Sequence, residues 1–408
     1  MRSMNSPRRH PNTTLLHCGR DSQRFDGLVN VPVCRGSTLL AESFDVWERA
    51  RQGGNPYAHY GRFGTATTHA FERAINELEG GHGSRVFPSG LSACTHALLA
   101  FLSSGDHALF SDSVYGPTRV FAERVLKRLG VAVDYFDPCD PEDLARQLRD
   151  STRLVFVEAP GSLTFEMIDL PRVCAIAHSA SAIVVMDNTW ATPLGCRPFE
   201  LGVDVSLHAA TKYIVGHSDA LLGVATATTD AWERLRDGAQ DFGETAGPDD
   251  LYLALRGLRT LGVRLERHAA NARCLVDQLA DHPMIASVHY PASPRDPGYA
   301  LWQRDFDGAS GLFGVRLKTT ERDAIERFFD RLELFGIGLS WGGFESLALP
   351  VGTPLRSRAQ ANGEGYLVRF HAGLEQACDL LADLDQALAA LDPRVSVAVP
   401  SAVNASAG

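Results

Sequence analysis

The sequence predicts an α/β protein with a mostly parallel sheet, followed by a smaller α/β domain. Two observations carry this prediction: from about residue 84 to 228 short β-branched runs alternate with helix-like stretches, and those runs are apolar along their whole length. Such strands, separated by helices of about 10–15 residues, are typical of a parallel sheet covered on both faces. The seven predicted strands are Arg85–Phe87, His107–Ser111, Val131–Phe136, Leu154–Glu158, Ile183–Asp187, Val203–His208 and Leu221–Thr226.

Helix-like stretches separate these strands, and a different pattern follows them. From Asp249 to Asp281 there is no proline and leucines recur three or four residues apart, which predicts a connecting helix. Beyond it we expect strands and helices to mix, with a loop at 291–307. The predicted helices of the first region are Leu91–Ser103, Pro117–Gly130 and Pro171–Ala180; the later elements are strands Leu312–Leu317 and Leu367–His371 and helices Glu321–Phe335 and Leu374–Leu391.

The domain organisation follows from these changes of pattern. We expect an N-terminal arm over residues 1–60, a large domain over 61–255, a smaller C-terminal domain over 256–395 and a tail over 396–408. With 408 residues, 45% of them hydrophobic, the chain can bury large cores.

Charge and cysteine content exclude several classes of protein. The formal net charge of −10 argues against a nucleic-acid partner, which would require a basic face. The eight cysteines have no zinc-ligand spacing, so we expect no metal and reduced thiols. The basic N-terminus has no apolar segment after it, and no apolar run approaches the roughly 18–20 residues of a membrane helix. These features predict a cytoplasmic protein.

One lysine stands out as a candidate for amine chemistry. Only three residues are lysine, and Lys212 alone follows a buried strand, among Ala and Gly, at the edge of the sheet where ligands bind. A desolvated lysine has a depressed pKa suited to Schiff-base formation. Lys127 and Lys318 have the sequence context of surface residues.

Two further segments suggest a cofactor. Asp187 ends an apolar strand, where it either caps the next turn or pairs with a protonated ring nitrogen. Ser89 and Gly90 lie where a strand gives way to a helix, and a helix N-terminus can bind phosphate. A lysine, an aspartate and a phosphate site together indicate pyridoxal 5′-phosphate (PLP).

The sequence resembles a known family, the PLP enzymes of cysteine and methionine (transsulfuration) metabolism. Within that family it resembles the bacterial cystathionine β-lyases. The similar stretches occur in family order from about residue 14 to 392. They are Tyr60–Thr65, Leu78–Gly81, Asp187–Ala191, Ala210–Tyr213 with Gly216–Asp219, Arg256–Leu265, Ser340–Leu347 and Arg369–Glu375. The resemblance implies the fold of PLP-dependent transferases, fold type I, with a seven-stranded sheet in the large domain.

The resemblance also implies roles for individual residues. Lys212 would hold PLP and move the Cα proton, Asp187 would pair with the ring nitrogen, and Tyr115 would stack on the ring. Catalytic roles are implied for Lys212, Tyr115 and Tyr60. The phosphate ligands would be Gly90, Leu91 and Thr211, together with Tyr60 and Arg62 from a neighbouring subunit.

The substrate side follows in the same way. Arg369 would bind the substrate carboxylate, with Ser340 and Trp341 lining the site. The expected reaction is cleavage of L-cystathionine to homocysteine, pyruvate and ammonia by a homo-oligomer, expected to be a tetramer. The residues Leu339 to Trp341 favour β over γ elimination, as does the stretch Glu158–Leu163.

Two positions depart from the family pattern and keep alternatives open. Phe63 and Val120 stand where bacterial cystathionine β-lyases often carry an arginine and an acidic residue, and neighbouring Arg119 could substitute for them. A cysteine S-conjugate β-lyase or a cysteine desulfhydrase is therefore an alternative. A PLP-binding regulatory protein is the non-enzyme alternative.

Overall fold

The computed structural model describes residues 9–52, 60–358 and 363–391. The predicted tail at 396–408 and parts of the predicted arm, residues 1–8 and 53–59, lie outside the described residues. The predicted domain boundaries stay a prediction.

The described chain alternates strands and helices as far as residue 227 and mixes them afterwards. The strands are β1 (Gly83–Phe87), β2 (His107–Ser111), β3 (Ala132–Phe136), β4 (Thr152–Glu158), β5 (Ile183–Asp187), β6 (Val205–His208), β7 (Gly223–Ala227), β8 (Ile285–His289), β9 (Leu312–Leu317), β10 (Gly336–Ile337), β11 (Leu347–Gly352) and β12 (Tyr366–His371). The α-helices are α1 (Pro11–His17), α2 (Phe44–Gln52), α3 (Ala66–Glu79), α4 (Gly90–Phe101), α5 (Gly116–Phe121), α6 (Pro141–Gln147), α7 (Leu170–Ser179), α8 (Thr192–Gly195), α9 (Thr229–Asp241), α10 (Pro248–Leu258), α11 (Leu261–Leu279), α12 (Tyr299–Asp305), α13 (Arg322–Arg331) and α14 (Ala377–Ala389). Short 3₁₀ turns cover Ser22–Phe25, Gly61–Phe63 and Pro198–Leu201, and a π-helical turn covers Ala122–Leu126.

The first seven strands form one sheet, in the order β1, β7, β6, β5, β4, β2, β3. Strands β6, β5, β4, β2 and β3 run parallel, and β7 is antiparallel to both of its neighbours. The prediction of a mostly parallel seven-stranded sheet is therefore confirmed. In this register Glu158 and Asp187 are paired at the carboxyl ends of β4 and β5.

The sheet is covered on both faces, as its apolar strands require. Every residue of β1, β2 and β7 is buried. On one face the rings of Phe110 and Phe156 stack at a centroid distance of 5.7 Å. The side chains of β2 and β4 thus form a packed aromatic layer under α4 and α5.

The second sheet has five strands, in the order β10, β11, β12, β9, β8. Only β10 and β11 pair in parallel; the other neighbours are antiparallel. The indole N–H of Trp190, which follows β5, donates to the carbonyl of Leu312 in β9 at 3.2 Å. Through this contact the second sheet is fixed beside the carboxyl edge of the first.

The prediction of one connecting helix from Asp249 to Asp281 is wrong, because the helix is interrupted between α10 and α11. A Cβ on Gly257 would lie 2.2 Å from the carbonyl oxygen of Ile214, so α10 rests directly on that backbone. The buried Arg264 donates to the Gly257 carbonyl at 2.8 Å, which replaces a helical hydrogen bond at the break. Packing against residues 213–215 thus overrides the periodicity.

Smaller differences concern the second sheet and its loops. The stretch 291–307, expected to be a loop, contains α12. The helix predicted to reach Phe335 ends at Arg331, because the chain then turns into β10. Strands β8, β10 and β11 were not predicted, since β10 has only two residues and the pairing of β8 and β11 is irregular, so they carry little alternation of polar and apolar residues. Within the described ranges, none of the helices combines the length and apolar character needed to cross a bilayer.

The packing of Phe156 in the aromatic layer formed by β2 and β4 can be tested by mutation. Phe156 is fully buried. We expect Phe156→Ala to lower the apparent free energy of unfolding by about 3–5 kcal/mol, because it removes a large side chain and leaves a cavity. Urea unfolding at fixed protein and cofactor concentrations measures the change. Leu129→Ala, at a position that is 46% exposed, is the control and should change it by less than about 0.5 kcal/mol. Equal effects of the two substitutions would contradict the assignment of Phe156 to the core.

Candidate active site

Lys212 lies in the turn that follows β6. Its backbone N–H donates to Ala209 O at 3.0 Å, and its carbonyl accepts from Gly216 N–H at 2.8 Å. The side chain extends across the carboxyl edge of the sheet, where Nζ donates to Ser340 Oγ at 2.7 Å. Nζ also lies 5.4 Å from the ring centroid of Trp341. The structure therefore brings these three predicted residues together.

The environment of Lys212 favours its neutral amine. Burial lowers the pKa to about 8, because the ammonium form loses hydration. The positive charge of Arg369 lowers it further, and the negative charge of Asp187 opposes both effects. At pH 7 about a tenth of this amine is thus unprotonated, far more than for an ordinary lysine, and the unprotonated amine is the nucleophilic form.

Asp187 is buried at the end of β5. Its Oδ1 accepts a hydrogen bond from Thr189 N–H at 3.0 Å and another from the Thr189 hydroxyl. The same hydroxyl oxygen accepts from Ala209 N–H at 2.9 Å, which links Asp187 to the turn that carries Lys212. Burial raises the pKa of Asp187, while the Thr189 bonds and the charges of His208 and Lys212 counteract the rise.

Thr189 was not predicted from the sequence. A signal was present, because an aspartate commonly accepts from the backbone two residues later, which is the spacing of Asp187 and Thr189.

Tyr115 lies between β2 and α5 and is 43% exposed. Its backbone N–H donates to Glu158 Oε2 at 2.6 Å, so the end of β4 fixes the loop that carries the ring. Burial raises the pKa of the phenol, with smaller contributions from Cys94, Glu158 and Asp187, and Arg369 opposes the rise. Tyr115 therefore lies within electrostatic range of both Asp187 and Arg369.

The N-terminus of α4 approaches the Lys212 turn closely. Ser89 is the N-cap and accepts from Ser92 N–H at 3.1 Å. A Cβ on Gly90 would lie 2.4 Å from Ala209 Cβ, so only glycine permits this approach. Thr211 also lies in the turn, where its hydroxyl donates to Leu222 O at 3.2 Å and accepts from Leu222 N–H at 2.9 Å.

Arg369 reaches the site from β12 in the second sheet and is only 8% exposed. Its guanidinium donates to the carbonyls of Leu339 at 2.6 Å and Ser340 at 3.0 Å. Burial lowers the pKa of Arg369 to about 10. These acceptors are uncharged backbone carbonyls, so they hold the guanidinium in place without neutralising its positive charge.

Residues 340–346 are fixed against β12 by His371. The imidazole Nε2 accepts from Gly342 N–H at 3.2 Å, and Nδ1 lies 3.0 Å from Glu345 O, to which it donates in the neutral tautomer. Burial holds the pKa of His371 well below its usual value, in agreement with this tautomer. Gly342 has φ +87°, and a Cβ there would lie 2.8 Å from the Lys212 carbonyl carbon. No feature of the local sequence indicates this contact.

Tyr60 and Arg62 are not brought to Lys212 within one chain. The Arg62 guanidinium lies 5.6 Å from the Tyr60 ring centroid and 4.3 Å from that of Phe63, and it donates to Gln240 O at 3.4 Å. No hydrogen bond or ion pair among the described residues joins Tyr60 or Arg62 to Lys212 or Asp187.

Comparison with known protein families identifies the family to which the chain belongs. The model of the family described as "Cys/Met metabolism PLP-dependent enzyme" matches residues 12–389. The chain belongs to this family. Its cofactor is accordingly PLP, as the sequence predicted.

Individual relatives match over almost the whole chain. Cystathionine beta-lyase from Bordetella avium is 42% identical over 389 residues, covering 93% of this chain and 98% of the relative. Cystathionine beta-lyase MetC from Escherichia coli is 40% identical over 386 residues, covering 92% and 98%. A crystal structure of metB from Corynebacterium glutamicum superposes with a TM-score of 0.85 at 28% identity, covering 94% of this chain and 98% of that one. The predicted fold type is confirmed.

The side chains at this edge of the sheet fit PLP. Asp187 is a buried carboxylate whose Oδ2 has only Cys94 Sγ, at 4.0 Å, as a hydrogen-bonding neighbour among the described residues. A protonated ring nitrogen would satisfy it. The free backbone N–H groups at the start of α4 suit a phosphate, and an amine with a lowered pKa suits an aldehyde.

The pKa of Lys212 gives a pH prediction. In protein freed of cofactor, acetylation of Lys212 by acetic anhydride should be half-maximal near pH 8, because only the neutral amine reacts. Mass spectrometry of the peptide that carries Lys212 follows the labelling. Arg369→Ala should move the midpoint upward, since a nearby positive charge is lost, and Arg369→Lys should move it less. A midpoint above pH 10 in the unchanged protein would contradict the assigned environment.

Proposed function

We propose that the chain is a PLP-dependent carbon–sulfur β-lyase that cleaves L-cystathionine to homocysteine, pyruvate and ammonia. The observation that carries the proposal is the meeting of the Lys212 amine, the Asp187 carboxylate and the Arg369 guanidinium at one sheet edge. The activity named for the relatives from Bordetella avium and Escherichia coli supports the same reaction.

When bound, PLP supplies an aldehyde that condenses with amines and a ring that withdraws electrons from Cα. Lys212 would hold the cofactor covalently through Nζ and give it up to the amine of the substrate. The freed Lys212 amine would then take the proton from Cα. The hydroxyl of Ser340, which accepts from Nζ at 2.7 Å, would keep the amine directed at the site.

Asp187 would keep a proton on the ring nitrogen. Its carboxylate is oriented by two hydrogen bonds from Thr189, so little reorganisation is needed when the ring binds. The backbone N–H groups of Gly90 and Leu91 would hold the phosphate. The Thr211 hydroxyl would join them by exchanging its bond to Leu222 O for one to phosphate.

Arg369 would bind the α-carboxylate of the substrate. The guanidinium has five donors, and two of its contacts are to the carbonyls of Leu339 and Ser340, so donors remain for a carboxylate. Glu158 holds the loop that carries Tyr115, and the Tyr115 side chain would stack on one face of the PLP ring.

Turnover of L-cystathionine tests the proposed function. The purified protein with PLP should release pyruvate and homocysteine in equal amounts, measured with lactate dehydrogenase and a thiol reagent. Lys212→Ala should lower kcat by about 10²–10⁴-fold, the range of a lost proton-transfer group. Lys127→Ala, which removes an exposed lysine paired with Glu123, is the matched control and should leave kcat unchanged. Full activity of Lys212→Ala, or no release of pyruvate by the unchanged protein, would refute the proposal. A regulatory PLP-binding protein would give the second result.

We further propose that the protein is a homo-oligomer, specifically a tetramer. Each active site would receive Tyr60 and Arg62 from the neighbouring subunit. The N-terminal arm supports this, because it exposes large apolar side chains that a subunit interface would cover; Leu40 is 90% exposed and Phe44 78%. The placement of the protein in the cytoplasm stays a prediction.

Mixing of inactive subunits tests the shared site. Arg62→Ala and Lys212→Ala proteins should each be inactive alone. After dissociation and random reassembly, half of the pairs are mixed and each mixed pair has one intact site, so activity should return to about a quarter of the unchanged enzyme. Two Lys212→Ala preparations mixed with each other are the control. No recovery in the mixed sample would place Arg62 in the site of its own chain.

A further inference from the structure

A buried histidine–glutamate pair lies beside the turn that carries Lys212. His208 ends β6 and is 1% exposed, and its Nε2 lies 2.5 Å from Oε1 of Glu79, the last residue of α3. Glu79 is buried as well, at 3% exposure. Burial of two ionisable side chains is costly unless each compensates for the lost hydration of the other. Such a pair next to the site is therefore a candidate for a role in it.

The state of the pair is set by its two members alone. Among the described residues, neither His208 Nδ1 nor Glu79 Oε2 has a hydrogen-bond partner, and His208 is the partner that forms an ion pair with Glu79. A separation as short as 2.5 Å is expected of a charge-assisted hydrogen bond rather than of a bond between neutral groups. An imidazolium that donates to a carboxylate accounts for this distance.

His208 lies on the strand next to Asp187. In the pairing of β5 with β6, Asp187 is opposite Leu207, so His208 is one position beyond it. Leu207 belongs to the core cluster of α4, and Cys94 of α4 lies 4.0 Å from Asp187 Oδ2. Since successive side chains of a strand point to opposite faces, the His208 ring projects to the other face, which α3 covers. The imidazole is thus across the sheet edge from Asp187, and Glu79 lies beyond the imidazole.

The charge of His208 acts on the carboxylate of Asp187. Burial raises the pKa of Asp187, and the positive charges of His208 and Lys212 oppose the rise. The other titratable groups that face Asp187 are Cys94 on α4 and Glu158 at the end of β4. Burial raises the pKa of both, which favours their neutral forms. Because Lys212 is engaged with the cofactor in the proposed function, the imidazolium is the compensating charge that stays fixed.

A backbone link joins the same strand end to Asp187. The N–H of the peptide between His208 and Ala209 donates to Thr189 Oγ1 at 2.9 Å, and this hydroxyl in turn donates to Asp187 Oδ1. The contact with Glu79 fixes the His208 side chain and with it this peptide. The pair is therefore connected to Asp187 both through space and through the hydrogen bonds of Thr189.

We propose that His208 is a positioning residue, held as an imidazolium by Glu79, that keeps the Asp187 carboxylate ionised towards the ring nitrogen of PLP. The proposal rests on the proposed function, in which Asp187 keeps a proton on that nitrogen. An ionised carboxylate raises the proton affinity of the ring nitrogen, and a protonated ring withdraws electrons from Cα more strongly. Loss of the imidazolium should therefore lower the protonation of the ring and slow the reaction.

PLP with an isotope-labelled ring nitrogen tests the proposal. Solid-state NMR of the holoenzyme follows this nitrogen, whose chemical shift differs between the protonated and the unprotonated ring. His208→Gln keeps a hydrogen bond to Glu79 without the charge, and Glu79→Gln removes the carboxylate that retains the charge. We expect each substitution to lower the pH at which the ring nitrogen loses its proton by about one unit, a tenfold loss of proton affinity. The kcat for L-cystathionine should fall by about tenfold.

His107→Gln is the matched control, because it changes another buried histidine–carboxylate pair of the same sheet. His107 begins β2, at the edge opposite to the carboxyl ends of the strands, and its Nε2 lies 3.3 Å from Asp134 Oδ2. This variant should leave the titration of the ring nitrogen unchanged. A change that only loosens the fold lowers the amount of bound PLP, measured by its absorbance, without moving that titration.

The outcomes separate this proposal from the proposed function. An unchanged titration in both His208→Gln and Glu79→Gln overturns the role of His208, and cleavage of L-cystathionine by the unchanged protein leaves the β-lyase standing. If the titration moves as expected but the unchanged protein cleaves no cystathionine, the proposed function fails and the role of His208 stands. Neutron diffraction from crystals of the unchanged holoenzyme in heavy water needs no variant. Deuterons on both ring nitrogens of His208 support the imidazolium, and a deuteron on only one overturns it.

Discussion

The burial of Asp187 constrains the rest of the site. A carboxylate at the end of a fully apolar strand is costly unless other groups compensate for its lost hydration. The parallel sheet brings those groups to it, because the carboxyl ends of neighbouring strands meet at one edge. Thr189 binds Asp187 and also accepts from Ala209 N–H, three residues before Lys212. The position of the carboxylate and the position of the amine are therefore coupled through one hydroxyl group.

The parts of the site that the sequence predicted are those that follow from this sheet geometry. Asp187 ends an apolar strand and Lys212 lies in the turn after another, so a rule about strand ends was enough to place them together. Arg369 was predicted only through resemblance to a family, because it reaches the site from the second sheet and nothing in its local sequence indicates that. Thr189 had a local signal in its spacing from Asp187.

The parts that were missed depend on contacts between distant segments. The break between α10 and α11 is set by the approach of Gly257 to Ile214, and leucine periodicity contains no information about that approach. The contact of Gly342 with the Lys212 backbone is of the same kind. The two-residue strand Gly336–Ile337 is too short for any alternation to be visible. In each case the deciding partner is more than 40 residues away in the sequence, or the element is no longer than one period of its own pattern.

The positive charges around Lys212 give the site a further property. Arg369 is held by backbone carbonyls, so its charge acts on Lys212 and contributes to the lowered pKa of the amine. A ligand carboxylate bound to Arg369 would cancel much of that repulsion. By linkage, the pKa of any free Lys212 amine must then rise as the carboxylate binds, which makes the amine a stronger base only once a substrate is present. In the proposed mechanism the less basic amine suits the empty site, in which it would attack an aldehyde, and the more basic amine suits the occupied site, in which it would remove a proton from carbon.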